Sequence, residues 1–113
     1  MNSIAENVVK IFKEKFSDSP HVYFSPGRIN LIGEHIDYND GYVMPAAINK
    51  GVYYAIAVNK TDTINFYASD FDELLSIKIS EIKKIDNWKN YVLSVVNEFV
   101  LMKKSIGGFD CVF

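Results

Sequence analysis

The 113-residue chain has a formal net charge of −2, and 49% of its residues are hydrophobic. This length and apolar content fit one small domain with its own core. Nucleic-acid binding needs a concentrated basic face, and a membrane span needs a long apolar run; the sequence contains neither, so both kinds of partner are unexpected.

The first predicted element is a helix. Ser3 and Glu6 form a capping box, the pattern that satisfies backbone N–H groups at a helix start. Apolar residues at helical spacing then predict a helix over residues 4–16. Residues 21–25 are β-prone and predict a short strand, which Pro26-Gly27 is expected to end.

The middle of the chain is predicted to be mainly β. Residues 28–38 lack a clean period and are expected to form a shaped loop with one helical turn, before a tight turn at Asn39-Asp40-Gly41. Residues 42–48 resemble a strand, in which Pro45 indicates an edge or a bulge. Asn49-Lys50-Gly51 is expected to turn the chain again. Residues 51–59 and 64–69 then predict a β-hairpin, with another strand at 74–79.

The last third predicts a second helix over residues 88–104, capped by Asp86 and stopped by Gly107-Gly108. Its apolar stripe comprises Trp88, Val92, Val95, Val96, Phe99 and Met102. A strand is expected from residue 109. Strands and helices without regular βαβ alternation predict an α+β fold with a mixed sheet, in a single domain over 1–113. Because the chain stops inside a strand, we expect this domain to be a truncated part of a longer chain.

The most distinctive segment is residues 26–41, Pro-Gly-Arg-Ile-Asn-Leu-Ile-Gly-Glu-His-Ile-Asp-Tyr-Asn-Asp-Gly. It concentrates polar side chains within twelve residues: Arg28, Asn30, Glu34, His35, Asp37 and Asn39. Carboxylates accept hydrogen bonds from hydroxyls, and imidazole both donates and accepts them, so this set suits a polyol such as a sugar. A solvated polar loop is the alternative. No metal site is expected, because the segment lacks a His pair or Cys partners at a zinc spacing.

This segment resembles the galactokinase signature, Gly-Arg-x-Asn-Leu-Ile-Gly-Glu-His-x-Asp-Tyr followed by Gly and then Pro-x-Ala-Ile. Gly41 and Pro45-Ala46-Ala47-Ile48 supply that tail. The order of the remaining elements also fits that family, so the resemblance covers the whole chain. It implies the N-terminal part of a GHMP kinase domain, from an enzyme that transfers phosphate from Mg-ATP to the anomeric hydroxyl of D-galactose.

The resemblance also implies roles for individual residues. Arg28 corresponds to the family's catalytic arginine, a permanently charged group that would stabilise the transferring phosphoryl group. The sugar hydroxyls would be held by Glu34, His35 and Asp37. Tyr38 is expected to pack beneath the loop without a direct role.

Two aromatic residues, Trp88 and Tyr91, correspond to positions that line the family's adenine pocket. Core packing is an equal alternative, because both lie on or beside the stripe of the second helix. The family's Gly- and Ser-rich phosphate loop and its catalytic Asp have no counterpart among the 113 residues. The isolated chain is therefore expected to lack kinase activity, to bind galactose weakly, and to self-associate through uncovered apolar surface.

Two further interpretations of the family resemblance stay open. The longer protein would be a kinase for N-acetylgalactosamine or a related sugar, or a sugar sensor without enzymatic activity. The single cysteine, Cys111, excludes an intrachain disulfide, and a cytoplasmic location is expected.

Overall fold

The computed structural model describes residues 3–16 and 18–113. Two helices, α1 (Ser3–Phe16) and α2 (Lys89–Leu101), accompany five strands: β1 (His21–Ile32), β2 (Met44–Val58), β3 (Thr63–Ala68), β4 (Glu73–Lys78) and β5 (Phe109–Val112). Single turns of 3-10 helix lie at Asp37–Asn39 and Ile79–Glu81. The helix predicted over 4–16 is thus confirmed. The loop predicted over 28–38 is wrong for residues 28–32, which continue β1, whereas its helical turn is found at Asp37–Asn39.

The strands form one mixed sheet in the order β1-β2-β5-β3-β4, in which only the β3–β5 pair is parallel. The predicted α+β class is confirmed. On one face, Val8 and Phe12 of α1 belong to a buried cluster with Val112. Neighbouring residues of a strand point to opposite faces, and Cys111 accordingly belongs to a second cluster with Val96 of α2. The two helices therefore cover opposite faces.

The hairpin predicted between residues 51–59 and 64–69 is wrong. Strand β5 lies between β2 and β3 and is antiparallel to the first and parallel to the second. Cys111 and Val112 of β5 are fully buried, so this strand is the most interior of the sheet. The observed hairpins are instead β1–β2 and β3–β4. The connection from β2 to β3 does not form a hairpin, because β5 lies between these two strands in the sheet.

The turns predicted at Pro26-Gly27 and at Asn49-Lys50-Gly51 are also wrong, since β1 and β2 each run through them. The two segments face each other at an irregularity in the ladder: Pro26 pairs with Gly51 and Arg28 pairs with Ala47. A step of two residues along β1 is matched by four along β2, which defines a bulge. A side chain at Gly51 would collide with the carbonyl oxygen of Ser25. The Pro and Gly residues that predicted turns therefore lie at a bulge within two continuous strands.

Helix α2 is shorter than predicted and is not capped by Asp86. It starts at Lys89, whose backbone N–H donates a 2.9 Å hydrogen bond to Oδ1 of Asn87. It ends at Leu101, before the glycine pair. The predicted stripe is wrong in part: Val96 is buried, but Val95, Phe99 and Met102 are exposed. Within residues 3–16 and 18–113, no helix is long and apolar enough to cross a membrane.

Candidate functional site

Strand pairing brings the start of the distinctive segment against the tail of the signature, residues 45–48. Arg28 and Asn30 in the second half of β1 pair with Ala47 and Pro45 of β2. Strand β5 pairs only with Ala55–Val58 of β2, so the first half of β2 has no neighbour on its other side in the described sheet. Pro45 lacks an N–H group and is tolerated at this edge, beside the ladder irregularity between Asn30 and Ile32, which confirms the predicted edge or bulge.

The loop between these strands, residues 33–41, is held by hydrogen bonds of its own. Backbone N–H groups of Asn39 and Gly41 both donate to the carbonyl oxygen of Ile36 at 3.0 Å. The side-chain Nδ2 of Asn39 donates to the carbonyl oxygen of His35 at 2.8 Å. Asp40 has the left-handed backbone expected of the predicted turn, with φ of 57°. These bonds fix the loop without help from a core.

Glu34 lies between two residues with left-handed backbone. Gly33 has φ of 98° and His35 has φ of 59°. A Cβ atom at Gly33 would also lie 2.9 Å from the carbonyl oxygen of Tyr42, so only glycine fits there. The left-handed residues on either side of Glu34 therefore constrain the backbone that carries its side chain.

Arg28 and Asp37 line one small pocket of about 30 Å³, together with Asn30, Gly33, Val43 and Pro45. This volume is about that of one water molecule. A hexose is much larger, so the pocket has room for one hydroxyl group while the ring would lie outside it. Glu34 and His35 do not line this pocket. The structure therefore brings together two of the four residues predicted for the sugar and its phosphorylation, Arg28 and Asp37, and leaves the other two outside this pocket.

The charged side chains of this region are exposed and unpaired. Within the described residues, Arg28, Glu34 and Asp37 make no side-chain hydrogen bond or ion pair. A guanidinium and two carboxylates on a hydrogen-bonded loop present one donor group and two acceptor groups to solvent. Such groups are able to bind a neutral polyol without first breaking an internal bond.

The ring of His35 does have an internal partner, which sequence analysis missed. Its Nδ1 lies 2.6 Å from the hydroxyl oxygen of Tyr38, and the two rings meet edge to face with centroids 5.9 Å apart. The expectation that Tyr38 packs beneath the loop is wrong, because its side chain is 70% exposed. Tyr38 follows His35 by three residues, a spacing at which side chains meet within a helical turn, and this spacing was the available signal.

The two predicted adenine residues occupy different environments. Trp88 is half-buried, and its ring centroid lies 5.5 Å from that of Phe71 and 6.1 Å from that of Phe113. Tyr91 is 81% exposed and lines an apolar groove of about 520 Å³ between α2 and the sheet, which Trp88 does not line. The two aromatic residues therefore do not share one pocket.

Beside Trp88, an ion pair joins α2 to β4. Nζ of Lys89 lies 2.8 Å from Oε2 of Glu73. The hydrogen bond from Lys89 is the main reason that the pKa of Glu73 is below its usual value. Among the described residues, no group of three His, Cys, Asp or Glu side chains is arranged to hold a metal ion.

The fold matches solved kinase structures. A crystal structure of Lactococcus lactis galactokinase complexed with galactose superposes with a TM-score of 0.85 and 33% identity, over 97% of this chain and 30% of that protein. Methanococcus jannaschii mevalonate kinase superposes with a TM-score of 0.63 over 83% of this chain, at 24% identity. This sheet with its two helices is thus the fold of the GHMP kinases.

Sequence comparison narrows the class. Residues 10–58 match the family model described as the galactokinase galactose-binding signature. The galactokinase of Fusobacterium nucleatum is 40% identical over 96% of the chain, and that of Clostridium acetobutylicum is 37% identical over all of it. The chain thus carries the galactose-binding signature of galactokinases and matches galactokinases along nearly all of its length. It spans about 30% of the length of these relatives.

Proposed function

We propose that this chain is the galactose-binding region of a galactokinase that phosphorylates the anomeric hydroxyl of D-galactose. The observation that carries the proposal is the hydrogen-bonded loop over residues 33–41, which lies in the matched signature and presents unpaired polar side chains. A loop ordered before the ligand arrives loses less entropy on binding, so its polar groups recognise hydroxyls more effectively.

Within this function, the side chains divide into sugar binding and catalysis. Asp37 and Glu34 accept hydrogen bonds from sugar hydroxyls, and His35 donates one. Arg28 lines the same pocket as Asp37 and stabilises the negative charge that develops as the phosphoryl group moves. A neutral hydroxyl becomes more acidic beside a fixed positive charge, so the guanidinium also favours the ionised nucleophile.

ATP and Mg²⁺ belong to the longer kinase in this proposal. The described residues do not fit a triphosphate, because they contain no Gly- and Ser-rich loop whose backbone N–H groups would cradle phosphates. Trp88 remains a candidate for the edge of an adenine pocket through its ring, with Tyr91 as a separate, solvent-facing contact.

A titration of the isotope-labelled chain, followed by NMR, tests the sugar proposal. D-galactose is added to one sample and D-glucose, its C4 epimer, to another. We expect galactose to shift the backbone signals of residues 28–41 and glucose to shift them less. N-acetylgalactosamine in a third sample tests tolerance at C2. Equal responses to galactose and glucose would contradict the proposal.

The expected inactivity of the isolated chain is tested by incubating it with galactose, ATP and magnesium. We expect no galactose 1-phosphate above the level formed by Arg28→Ala, because the phosphate cradle is missing. Turnover that exceeds this control would show that the chain assembles a complete active site on its own.

We also propose that the isolated chain self-associates and that the protein is cytoplasmic. Val95 and Phe99 of α2, with Met102 directly after it, are exposed apolar residues at i, i+4 and i+7 spacing, which favours association of copies. Light scattering after size-exclusion chromatography would reveal a dimer or larger species, and Phe99→Asp should reduce the fraction of this species.

The proposed cytoplasmic location is supported by the single cysteine, Cys111, which is free and buried.

A further inference from the structure

The contact between His35 and Tyr38 suggests how the sugar loop fixes the chemistry of its one imidazole. A neutral imidazole has one N–H and one bare nitrogen, and a partner on one nitrogen decides which of them carries the proton. Nδ1 of His35 lies 2.6 Å from the Tyr38 hydroxyl, whereas Nε2 has no partner among the described residues. The Tyr38 hydroxyl is able to donate or accept, but a phenol is a better donor than acceptor and a bare imidazole nitrogen is a good acceptor, so the contact favours a bare Nδ1 that accepts from Tyr38.

We propose that Tyr38 is a positioning residue for sugar recognition. Its hydroxyl donates to Nδ1 of His35, which holds the proton of the neutral ring on Nε2 and makes that nitrogen the donor presented to a galactose hydroxyl. This inference rests on the proposed galactose-binding function and adds a residue and a direction of hydrogen bonding to it.

The backbone of the loop supports a fixed orientation of this ring. His35 has φ of 59°, a conformation that few residues other than glycine adopt, so it persists only where neighbouring groups enforce it. Asn39 holds the carbonyl oxygen of His35, and Tyr38 holds its ring from the same helical turn. The edge-to-face contact of the two rings adds a second restraint on the imidazole.

Nitrogen chemical shifts distinguish the two tautomers directly. Long-range proton–nitrogen spectra of the labelled chain, recorded at mildly alkaline pH where free imidazole is neutral, should show His35 almost entirely as the Nε2–H form. Tyr38→Phe removes the hydroxyl, keeps the ring, and should shift His35 toward a mixture of tautomers. Tyr42→Phe is the matched control, because Tyr42 lies in the same region and its side chain is 99% exposed. An unchanged His35 in Tyr38→Phe would overturn the inference.

The affinity of Tyr38 variants for galactose tests whether the His35 tautomer affects sugar binding. Tyr38→Phe should weaken binding by about 3- to 10-fold, the usual range for one lost hydrogen bond, and Tyr42→Phe should not weaken it. In a His35→Ala background, Tyr38→Phe should have no further effect, because its target ring is gone. An equal loss in both backgrounds would contradict the inference. Absence of galactose binding by the unmodified chain would instead contradict the proposed function, and the tautomer spectra would still decide the role of Tyr38.

Discussion

Asn65 and Asp110 are directly opposite each other in the parallel β3–β5 pair, and Nδ2 of Asn65 donates a 2.7 Å hydrogen bond to Oδ1 of Asp110. Asn59 donates to the same oxygen at 2.8 Å, from the end of β2. Asp110 is only 9% exposed. A carboxylate buried to this extent needs hydrogen-bond donors, and here two amides supply them. One side chain of β5 thereby joins the two halves of the sheet.

Replacing Asp110 should therefore destabilise the chain. Asp110→Ala leaves the amides of Asn59 and Asn65 without their shared acceptor, and we expect the free energy of unfolding to fall by about 1–3 kcal/mol. Urea denaturation followed by circular dichroism measures this. Asp86→Ala is the control, because Asp86 is exposed and should change stability by less than about 0.5 kcal/mol. Equal effects of the two variants would show that the cluster does not stabilise the sheet.

The environments of Trp88 and Tyr91 predict different costs of truncation. Trp88→Ala removes ring contacts with Phe71 and Phe113 and should lower the free energy of unfolding by about 1–3 kcal/mol, less than for a fully buried aromatic. Tyr91→Ala removes an exposed side chain and should change it by less than about 0.5 kcal/mol. Thermal and urea unfolding measure both. Similar values for the two variants would contradict the partly buried position of Trp88.

Gly33 should not tolerate a side chain. In Gly33→Ala, the left-handed backbone and the close carbonyl of Tyr42 both oppose the added methyl group, and we expect a loss of about 1–3 kcal/mol in stability. Gly107→Ala provides the matched comparison, because a Cβ atom there meets nothing within 4 Å. If both glycine variants unfold at the same urea concentration, the loop is not held in the described conformation.

Cys111 should react slowly with alkylating reagents in the folded chain. Burial raises the pKa of its thiol to about 12. Because the thiolate is the reactive form, and a raised pKa lowers its fraction at pH 8, iodoacetamide should label the native chain far more slowly than the urea-unfolded chain. Mass spectrometry over time measures the two rates. Comparable rates would mean that β5 opens readily or is not central.

Local sequence patterns predicted the helices and strands better than they predicted which strands pair in the sheet. The capping pattern and helical spacing near Ser3 predicted α1 from neighbouring residues. Pro45 predicted an edge or a bulge, because a residue without an N–H group is excluded from the interior of a sheet. The place of β5 depends on contacts such as that between Asn65 and Asp110, forty-five residues apart, which no local pattern contains. The Pro and Gly residues of β1 and β2 appeared to be turns because a bulge and a turn use the same residue types.

The sequence predicted which residues belong to the candidate site better than it predicted which of them contact each other. The resemblance to the galactokinase signature singled out Arg28 and Asp37, which the structure brings to one pocket. It gave Tyr38 no direct role, because its contact with His35 appears only once the loop forms its helical turn. Side-chain partners inside an irregular loop follow from its backbone geometry, which short-range periodicity does not specify.

The affinity of the chain for D-galactose, with and without Asp37, tests the central claim most directly. Asp37→Ala removes a carboxylate that lines the pocket with Arg28, and the loss of a charged hydrogen-bond acceptor should weaken binding by about 1.5–3 kcal/mol. NMR titration of the unmodified chain, Asp37→Ala and Asp86→Ala gives three dissociation constants. We predict weak but galactose-selective binding by the unmodified chain and by Asp86→Ala, and at least about tenfold weaker binding by Asp37→Ala. Binding that is the same in all three, or that shifts signals of α2 in place of residues 28–41, would contradict a galactose site on this loop.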